Sequence, residues 1–83
     1  MNLKDISKSD RIELAQNTTP DSILRELARD ISWEVRLEVA DNPNTPEESL
    51  LMLSKDVNPE IRRNVALNCS TPKHILVALA NEL

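Results

Sequence analysis

The charged residues with the most regular spacing are three aspartates, each followed six residues later by an arginine. The pairs are Asp5 and Arg11, Asp30 and Arg36, and Asp56 and Arg62. Because a planar guanidinium donates two parallel hydrogen bonds to a carboxylate or phosphate, the arginines could form a stripe that binds an anion or a partner, to which Arg63 would add charge. In the alternative interpretation, each aspartate binds a neighbouring arginine or the backbone amides at a helix start. The even spacing favours this second arrangement, a structural ladder.

The other side chains capable of chemistry stand alone. His74 has no second histidine, cysteine or base placed to work with it, and the single cysteine, Cys69, can form neither an internal disulfide nor a metal site. Glycine is absent, which excludes glycine-rich phosphate loops and dinucleotide fingerprints. We therefore expect no catalytic set, no metal and no cofactor, and predict that the protein is not an enzyme.

The charged pairs belong to a longer internal repeat. The stretch from Asp30 to Pro46 recurs in register from Asp56 to Pro72, and its pattern also begins upstream at Asp5. The three repeats lie at about 5–30, 31–56 and 57–83. A fixed period of this kind is typical of helical arrays, in which each unit buries its apolar face against its neighbours. We therefore predict one helical-repeat domain over residues 1–83.

Each repeat contains a Thr-Pro pair followed by apolar residues at helical spacing, which predicts a first type of helix, the A helix. These helices are expected at about 20–30, 46–55 and 72–82. Thr19, Thr45 and Thr71 would be their N-caps, with the proline at the first helical position. Glu48 would complete a capping box with Thr45.

A second apolar pattern in each repeat predicts the B helices, which begin after Ser7, Ser32 and Asn58. They are expected at about 8–16, 33–41 and 59–67 and are short enough to include 3₁₀ turns. Each stops at an asparagine: Asn17, Asn42 or Asn68. The asparagine could adopt the left-handed conformation that often follows a helix, or its side chain could tie the turn to the next repeat. Both interpretations are structural.

The repeat resembles the variant leucine-rich repeat over about residues 5–82. The matching residues in the middle copy are Asp30, Arg36, Ala40, Asn42, Thr45, Pro46, Leu50, Leu53, Ser54 and Asp56. It is also similar to HEAT-type helical repeats, which carry an aspartate and an arginine six residues apart. The resemblance implies an all-α fold, a right-handed solenoid of about three two-helix repeats that serves as a binding surface. Some variant leucine-rich repeat proteins also carry an iron–sulfur cluster on a cysteine-rich segment, which one cysteine cannot supply.

The charge balance limits the classes of partner. Ten basic and 14 acidic residues give a net charge of −4, which disfavours a general affinity for nucleic acid or an anionic membrane. No apolar run approaches the length of a membrane span, and the polar start lacks the apolar stretch of a signal peptide. We expect a soluble cytoplasmic protein.

The candidates for partner contact are five apolar residues: Trp33, Leu51, Met52, Val77 and, at the C-terminus, Leu83. Trp33 occupies a position that is not apolar in the other two repeats, so it either meets a partner or covers the stack between repeats. Leu51 and Met52 lie where the first repeat is charged, and Val77 aligns with Leu51. An A-helix surface that becomes apolar toward the C-terminus predicts a contact surface.

The two ends of the array differ in polarity. Near the N-terminus Asp10 stands where the later repeats have Val35 and Ile61, as expected of a polar terminal unit. At the C-terminus Leu83 aligns with Ile31 and Val57, which we expect to face the core. An apolar C-terminal face predicts a homodimer through the C-terminal helix or contact with a partner protein. Alternatively, this helix packs on its own chain and the protein is a monomer.

The leading interpretation is a non-enzymatic protein–protein interaction or scaffold module whose partner the sequence does not identify. One alternative is a nucleic-acid-binding, HEAT-like repeat protein, in which Arg11, Arg36, Arg62 and Arg63 would face phosphates. The charge of −4 counts against it. Another alternative is an accessory subunit of a larger enzyme.

Overall fold

The computed structural model describes residues 2–81, which form six α-helices and one 3₁₀ helix and contain no β-strand. The α-helices are α1 (Lys8–Gln16), α2 (Asp21–Leu27), α3 (Trp33–Asp41), α4 (Glu47–Leu53), α5 (Pro59–Leu67) and α6 (Lys73–Asn81). The 3₁₀ helix, Leu3–Asp5, precedes α1. The predicted all-α class is confirmed, and α1, α3 and α5 have the bounds predicted for the B helices and are α-helical throughout.

The helices pack in an elongated arrangement, with principal dimensions of 38 × 21 × 15 Å. Helix α3 packs against α1 on one side and α5 on the other, while α2 and α4 each contact the helices that precede and follow them. The fully buried large side chains are aliphatic: Leu24, Leu27, Leu50, Leu53, Ile61, Ile75, Val35, Val39 and Val65. No helix within residues 2–81 is long and apolar enough to cross a membrane.

The helices α2, α4 and α6 begin after a Thr-Pro pair, but the threonines are not their N-caps as predicted. The N-cap residues of α2 and α4 are Pro20 and Pro46, without a side-chain capping bond. Each threonine hydroxyl instead donates to a carbonyl of the preceding helix, as Thr45 Oγ1 does to Val39 O at 2.7 Å. Thr19 and Thr71 make the corresponding bond. The threonine thus joins two helices, and Thr45 and Glu48 do not form the predicted capping box.

The predicted A helices are longer than the α-helical segments that the structure contains. After α2 ends at Leu27, the Arg29 amide donates to Glu26 O at 3.0 Å and the Asp30 amide donates to Leu27 O at 3.1 Å. Bonds of this three-residue spacing tighten the last turn into a 3₁₀ geometry. This turn carries Asp30 out of the helix and toward the next repeat.

The asparagines that follow α1, α3 and α5 are not left-handed, so that prediction is wrong. Asn42 has φ −79° and Asn68 has φ −71°, and no residue from 2 to 81 has a positive φ. The side chains of Asn42 and Asn68 bind backbone carbonyls of the preceding repeat, whereas that of Asn17 binds Glu13 O of its own helix. Asn42 Nδ2 donates to Ala15 O and Asn17 O, each at 2.8 Å, and Asn68 repeats this arrangement on α3. The tie between repeats thus runs backward along the chain, not forward as predicted.

Ile31 and Val57, which were expected to face the core, are the most exposed large apolar residues in the described part of the chain. Their exposed fractions are 93% and 89%. Arg36 Nη1 binds the carbonyls of Asp30 and Ile31, at 2.7 and 3.2 Å, and this holds the loop with the aliphatic side chain outward. The expectation for Leu83 rested on its alignment with these residues, and Leu83 lies outside residues 2–81.

Candidate functional site

In the predicted ladder, the arginine of one Asp–Arg pair binds the aspartate of the next pair along the chain. Arg11 Nε lies 2.8 Å from Asp30 Oδ2, and Arg36 Nε lies 2.8 Å from Asp56 Oδ2. Within the six-residue pairs, the arginine instead binds the main chain: Arg36 Nη1 donates to the carbonyl of Asp30. Arg11 and Arg36 therefore each hold two loops: the loop before their own helix and the loop before the next B helix.

The aspartate carboxylates also shape their own loops. Asp30 Oδ1 accepts from the Ser32 amide at 2.9 Å, and Asp56 Oδ1 accepts from the Asn58 amide at 3.0 Å. These bonds orient the residues at which α3 and α5 begin. The Arg36 and Asp56 side chains are only 17% and 9% exposed, so the guanidinium is largely enclosed by its internal partners. A charge buried to this degree depends on its counter-charge, because an unpaired partner would stay desolvated.

The ends of the predicted ladder differ from its middle. Asp5 is exposed and forms no ion pair within residues 2–81. Arg62 Nη1 donates to Asp56 O at 2.6 Å, which repeats the main-chain bond of Arg36. The position equivalent to Asp30 and Asp56 is Glu82, beyond the residues that the structure describes.

The loops that carry the aspartates form one edge of the molecule with a consistent surface chemistry. Lys4, Arg29 and Lys55 immediately precede the three aspartates, and all three are exposed. Ile31 and Val57 immediately follow the second and third aspartates. Because Arg11 and Arg36 neutralise these two carboxylates, the exposed groups beside them are basic and aliphatic, whereas the exposed Asp5 stands beside Lys4 in the first loop. We call these five residues, Lys4, Arg29, Lys55, Ile31 and Val57, the basic–aliphatic edge.

Two grooves of about 510 Å³ each lie along this edge, one repeat apart. The first is lined by Leu3, Lys4, Arg11, Arg29 and Ile31, among others. The second is lined by the residues one repeat further on, namely Ala28, Arg29, Arg36, Lys55 and Val57. Ile31 lines both grooves. The lining is thus presented twice at the period of the sequence repeat, except that Glu26 of the first groove is replaced by Met52 in the second.

Sequence reasoning missed this edge although its signal was present. The triplet of a basic residue, an aspartate and an aliphatic residue recurs as Arg29 to Ile31 and as Lys55 to Val57. The aliphatic residue was assigned to the core because its type, but not its direction, can be read from the sequence.

A third groove, of about 480 Å³, lies between α5 and α6, and we call it the C-terminal groove. It is lined by Pro59, Arg62, Arg63, Ala66, Leu76, Leu79 and Ala80. Leu76 is 37% exposed, whereas Leu24 and Leu50 at the equivalent positions are fully buried. Ala66 is exposed where Ala40 is buried. Within residues 2–81, the third repeat thus exposes the face that α3 and α5 cover in the first two repeats.

The apolar residues predicted to contact a partner are distributed over several surfaces. Trp33 is 44% exposed at the start of α3, while Leu51 and Val77 are 41% and 51% exposed on α4 and α6. Met52 is partly buried and lines the second groove of the basic–aliphatic edge. The structure therefore brings only Met52 together with that edge.

Ion pairs at the surface also connect successive repeats. Lys8 Nζ lies 2.9 Å from Glu34 Oε2, and this hydrogen bond holds the pKa of Glu34 below its usual value. Arg25 binds Glu48, whose pKa is lowered first by its own backbone amide and then by Arg25. Exposed pairs of this kind contribute little to stability, so the enclosed arginine–aspartate pairs dominate the electrostatics between repeats.

The residues considered for catalysis or metal binding remain separate. His74 Nε2 lies 3.6 Å from Glu47 Oε1, and both side chains are well exposed. Cys69 is exposed in the turn before α6. Within residues 2–81, no group of three or more histidine, cysteine, aspartate or glutamate residues could hold a metal ion.

Comparison with known proteins supports the resemblance noted from the sequence. Residues 33–58 match the family model described as leucine rich repeat variant, which confirms the resemblance for this segment. The match begins with α3, includes α4 and ends at residue 58, immediately before α5. No curated protein and no solved structure matches the chain.

Proposed function

We propose that this protein is a non-enzymatic protein-interaction module that binds its partner along the basic–aliphatic edge. In this proposal the helices form a right-handed solenoid of about three two-helix repeats, and residues 1–83 are one domain. The family match over residues 33–58 and the all-helical fold support a repeat module. Such modules characteristically bind other macromolecules along an extended surface.

The observation that carries the proposal is the exposure of Ile31 and Val57. Single exposed apolar side chains are common, but these two occupy equivalent positions in consecutive repeats and are 93% and 89% exposed. The fold does not need an aliphatic group at a position where it contacts almost nothing. A partner that covers exposed aliphatic groups beside a groove gains binding free energy, because burying apolar surface is favourable.

A protein partner agrees better with the geometry than a nucleic acid does. In the nucleic-acid alternative, Arg11 and Arg36 would face phosphates, but their side chains are only 13% and 17% exposed and each binds an aspartate. The net charge of −4 also opposes nonspecific attraction to phosphates. An accessory subunit of an enzyme is a particular case of the proposal, with an enzyme as the partner.

The C-terminal groove is a second proposed contact surface, through which two copies associate as a homodimer. Its support is the exposure of Leu76 and Ala66 at positions that are buried in the preceding repeats. Burial of these residues against a second copy would replace the cover that α5 provides for α3.

A peptide-display selection tests the main proposal. The wild-type protein is expected to enrich peptides that the double variant Ile31→Ser, Val57→Ser no longer binds. The matched control is Leu67→Ser, which also removes a well-exposed leucine, 72% exposed, but on α5 away from the edge. Enrichment that is the same for the wild type and the double variant would contradict the proposal, as would the absence of any enrichment.

A further inference from the structure

We propose that the basic–aliphatic edge recognises an acidic protein segment in which a carboxylate and an apolar side chain recur together at the spacing of the two grooves. This inference rests on the function proposed above and specifies the chemical class of the partner. It follows from three features of the edge: its charge, the lining of its grooves and the distance between them.

The charge of the edge differs in sign from that of the whole chain. Asp30 and Asp56 use both carboxylate oxygens within the fold, one on an arginine and the other on a backbone amide. Arg29 and Lys55 next to them are exposed and form no ion pair within residues 2–81. A chain of net charge −4 therefore presents the cations Lys4, Arg29 and Lys55 along this edge, and the acids Asp5 and Glu26 lie only at its first groove. Opposite charges on the two partners favour encounter and determine which partner binds.

The apolar lining of the grooves is complementary to an apolar group on the partner. Ile31 stands between the two grooves and lines both, while Val57 and Met52 line the second. An aliphatic side chain placed between Ile31 and Val57 would cover two groups that are almost completely exposed.

The spacing follows from the packing of the helices. Packed helices such as α1 and α3 have axes about 8–10 Å apart, so equivalent points on successive repeats are separated by a similar distance. A polyproline II chain advances about 3.1 Å per residue with three residues per turn, so it returns to the same face, at the next groove, after about three residues. A helix advances about 1.5 Å per residue and returns to the same face after about seven. Both conformations present the same pair of groups at the same interval.

Fluorescently labelled peptides and fluorescence anisotropy test the inference on the full chain. Two peptides carry adjacent aspartate and leucine residues at every third or every seventh position, and a third peptide has the same composition in shuffled order. At least one periodic peptide is expected to bind about tenfold more tightly than the shuffled one. Replacing its aspartates by asparagines should weaken binding by about tenfold, as expected when several charge pairs of modest strength are lost.

Protein variants locate the binding to the edge. The charge-reversed variant Arg29→Glu, Lys55→Glu is expected to bind the periodic peptide at least about tenfold more weakly, and added salt should weaken the wild-type complex. The control is Lys73→Glu, which reverses an exposed charge at the start of α6. It should bind about as well as the wild type.

Several outcomes would overturn the inference. If the asparagine peptide or the charge-reversed protein binds as well as its parent, the partner is not recognised by its acids. If display enriches peptides without acidic residues, the proposed function holds and this inference fails. If vesicles containing phosphatidylserine bind the wild type but not Ile31→Ser, Val57→Ser, while no acidic peptide binds, the edge is a lipid-binding surface instead.

Discussion

Arg36 binds Asp56, the aspartate of the next Asp–Arg pair, with Nε donating to Oδ2 at 2.8 Å and Nη2 donating to Oδ1 at 3.4 Å. The same guanidinium holds the carbonyl of Asp30, so one side chain fixes two loops that are one full repeat apart in sequence. The loops carry Ile31 and Val57 outward as a consequence. The hydrogen bonds of the internal ladder therefore also orient the exposed residues of the basic–aliphatic edge.

The first prediction concerns this arginine. Arg36→Ala leaves the Asp56 carboxylate without its cation, which should lower the free energy of unfolding by about 1–3 kcal/mol in urea denaturation. Arg63→Ala, which removes an exposed arginine, should change it by less than about 0.5 kcal/mol. Equal stability of Arg36→Ala and the wild type would show that the arginine is held for binding rather than for the fold.

The second prediction concerns the asparagine ties. Asn42 is 4% exposed and donates to two carbonyls of the first repeat, so Asn42→Ala should cost about 1–3 kcal/mol of unfolding free energy. Asn17 occupies the same position in the first repeat, but it is exposed and donates only to Glu13 of its own helix. Asn17→Ala should therefore be nearly neutral. Similar losses in both variants would contradict the interpretation that the tie, rather than the asparagine itself, stabilises the fold.

The third prediction concerns pH. The hydrogen bond from Lys8 lowers the pKa of Glu34 below 4.5, so the charged carboxylate is favoured in the folded state. The stability contributed by this pair is present above the unfolded pKa and is lost as the pH falls through the lower, folded pKa. In an NMR titration, Lys8→Ala should raise the pKa of Glu34 and leave that of Glu48 lowered, because Arg25 and its own amide act there. An unchanged Glu34 titration would refute the pairing in solution.

The fourth prediction concerns the C-terminal groove. Light scattering at micromolar concentration should give the mass of a dimer, and Leu76→Glu should convert it to a monomer by placing a charge in the apolar contact. Ile31→Ser, which changes the other surface, should remain dimeric. A wild-type monomer at these concentrations would remove the homodimer proposal without affecting the basic–aliphatic edge.

Much of the helical framework could be predicted from local signals. The bounds of α1, α3 and α5 follow from N-cap residues such as Ser7 and Asn58, whose side chains accept bonds from the first turn, and from the asparagines that follow each helix. The role of the Thr-Pro pairs could not be predicted in this way. Instead of capping its own helix, the Thr45 hydroxyl donates to a carbonyl of the preceding helix. This bond forms only once the two helices have packed.

The direction of side chains on the loops was also beyond local prediction. The six-residue spacing of Asp30 and Arg36 was apparent, but their actual bonding depends on which loops lie within reach of the guanidinium in the folded chain. Ile31 matched an apolar pattern and was assigned to the core by its type. Its outward direction follows from the arginine clamp, which no single repeat reveals. The recurring triplet of the candidate site could thus be read from the sequence, but the direction of its aliphatic side chain could not.

The most direct test of the binding edge is an NMR titration of the labelled protein with the best peptide from display. The amide signals of residues 29–31 and 55–57 should shift together, while those of the Thr-Pro loops at the other ends of α3 and α5, from residues 44, 45 and 69–71, should remain in place. The shifts should be absent in Ile31→Ser, Val57→Ser. Shifts confined to the Thr-Pro loops, or equal shifts in the double variant, would contradict the claim that this protein binds its partner along the basic–aliphatic edge.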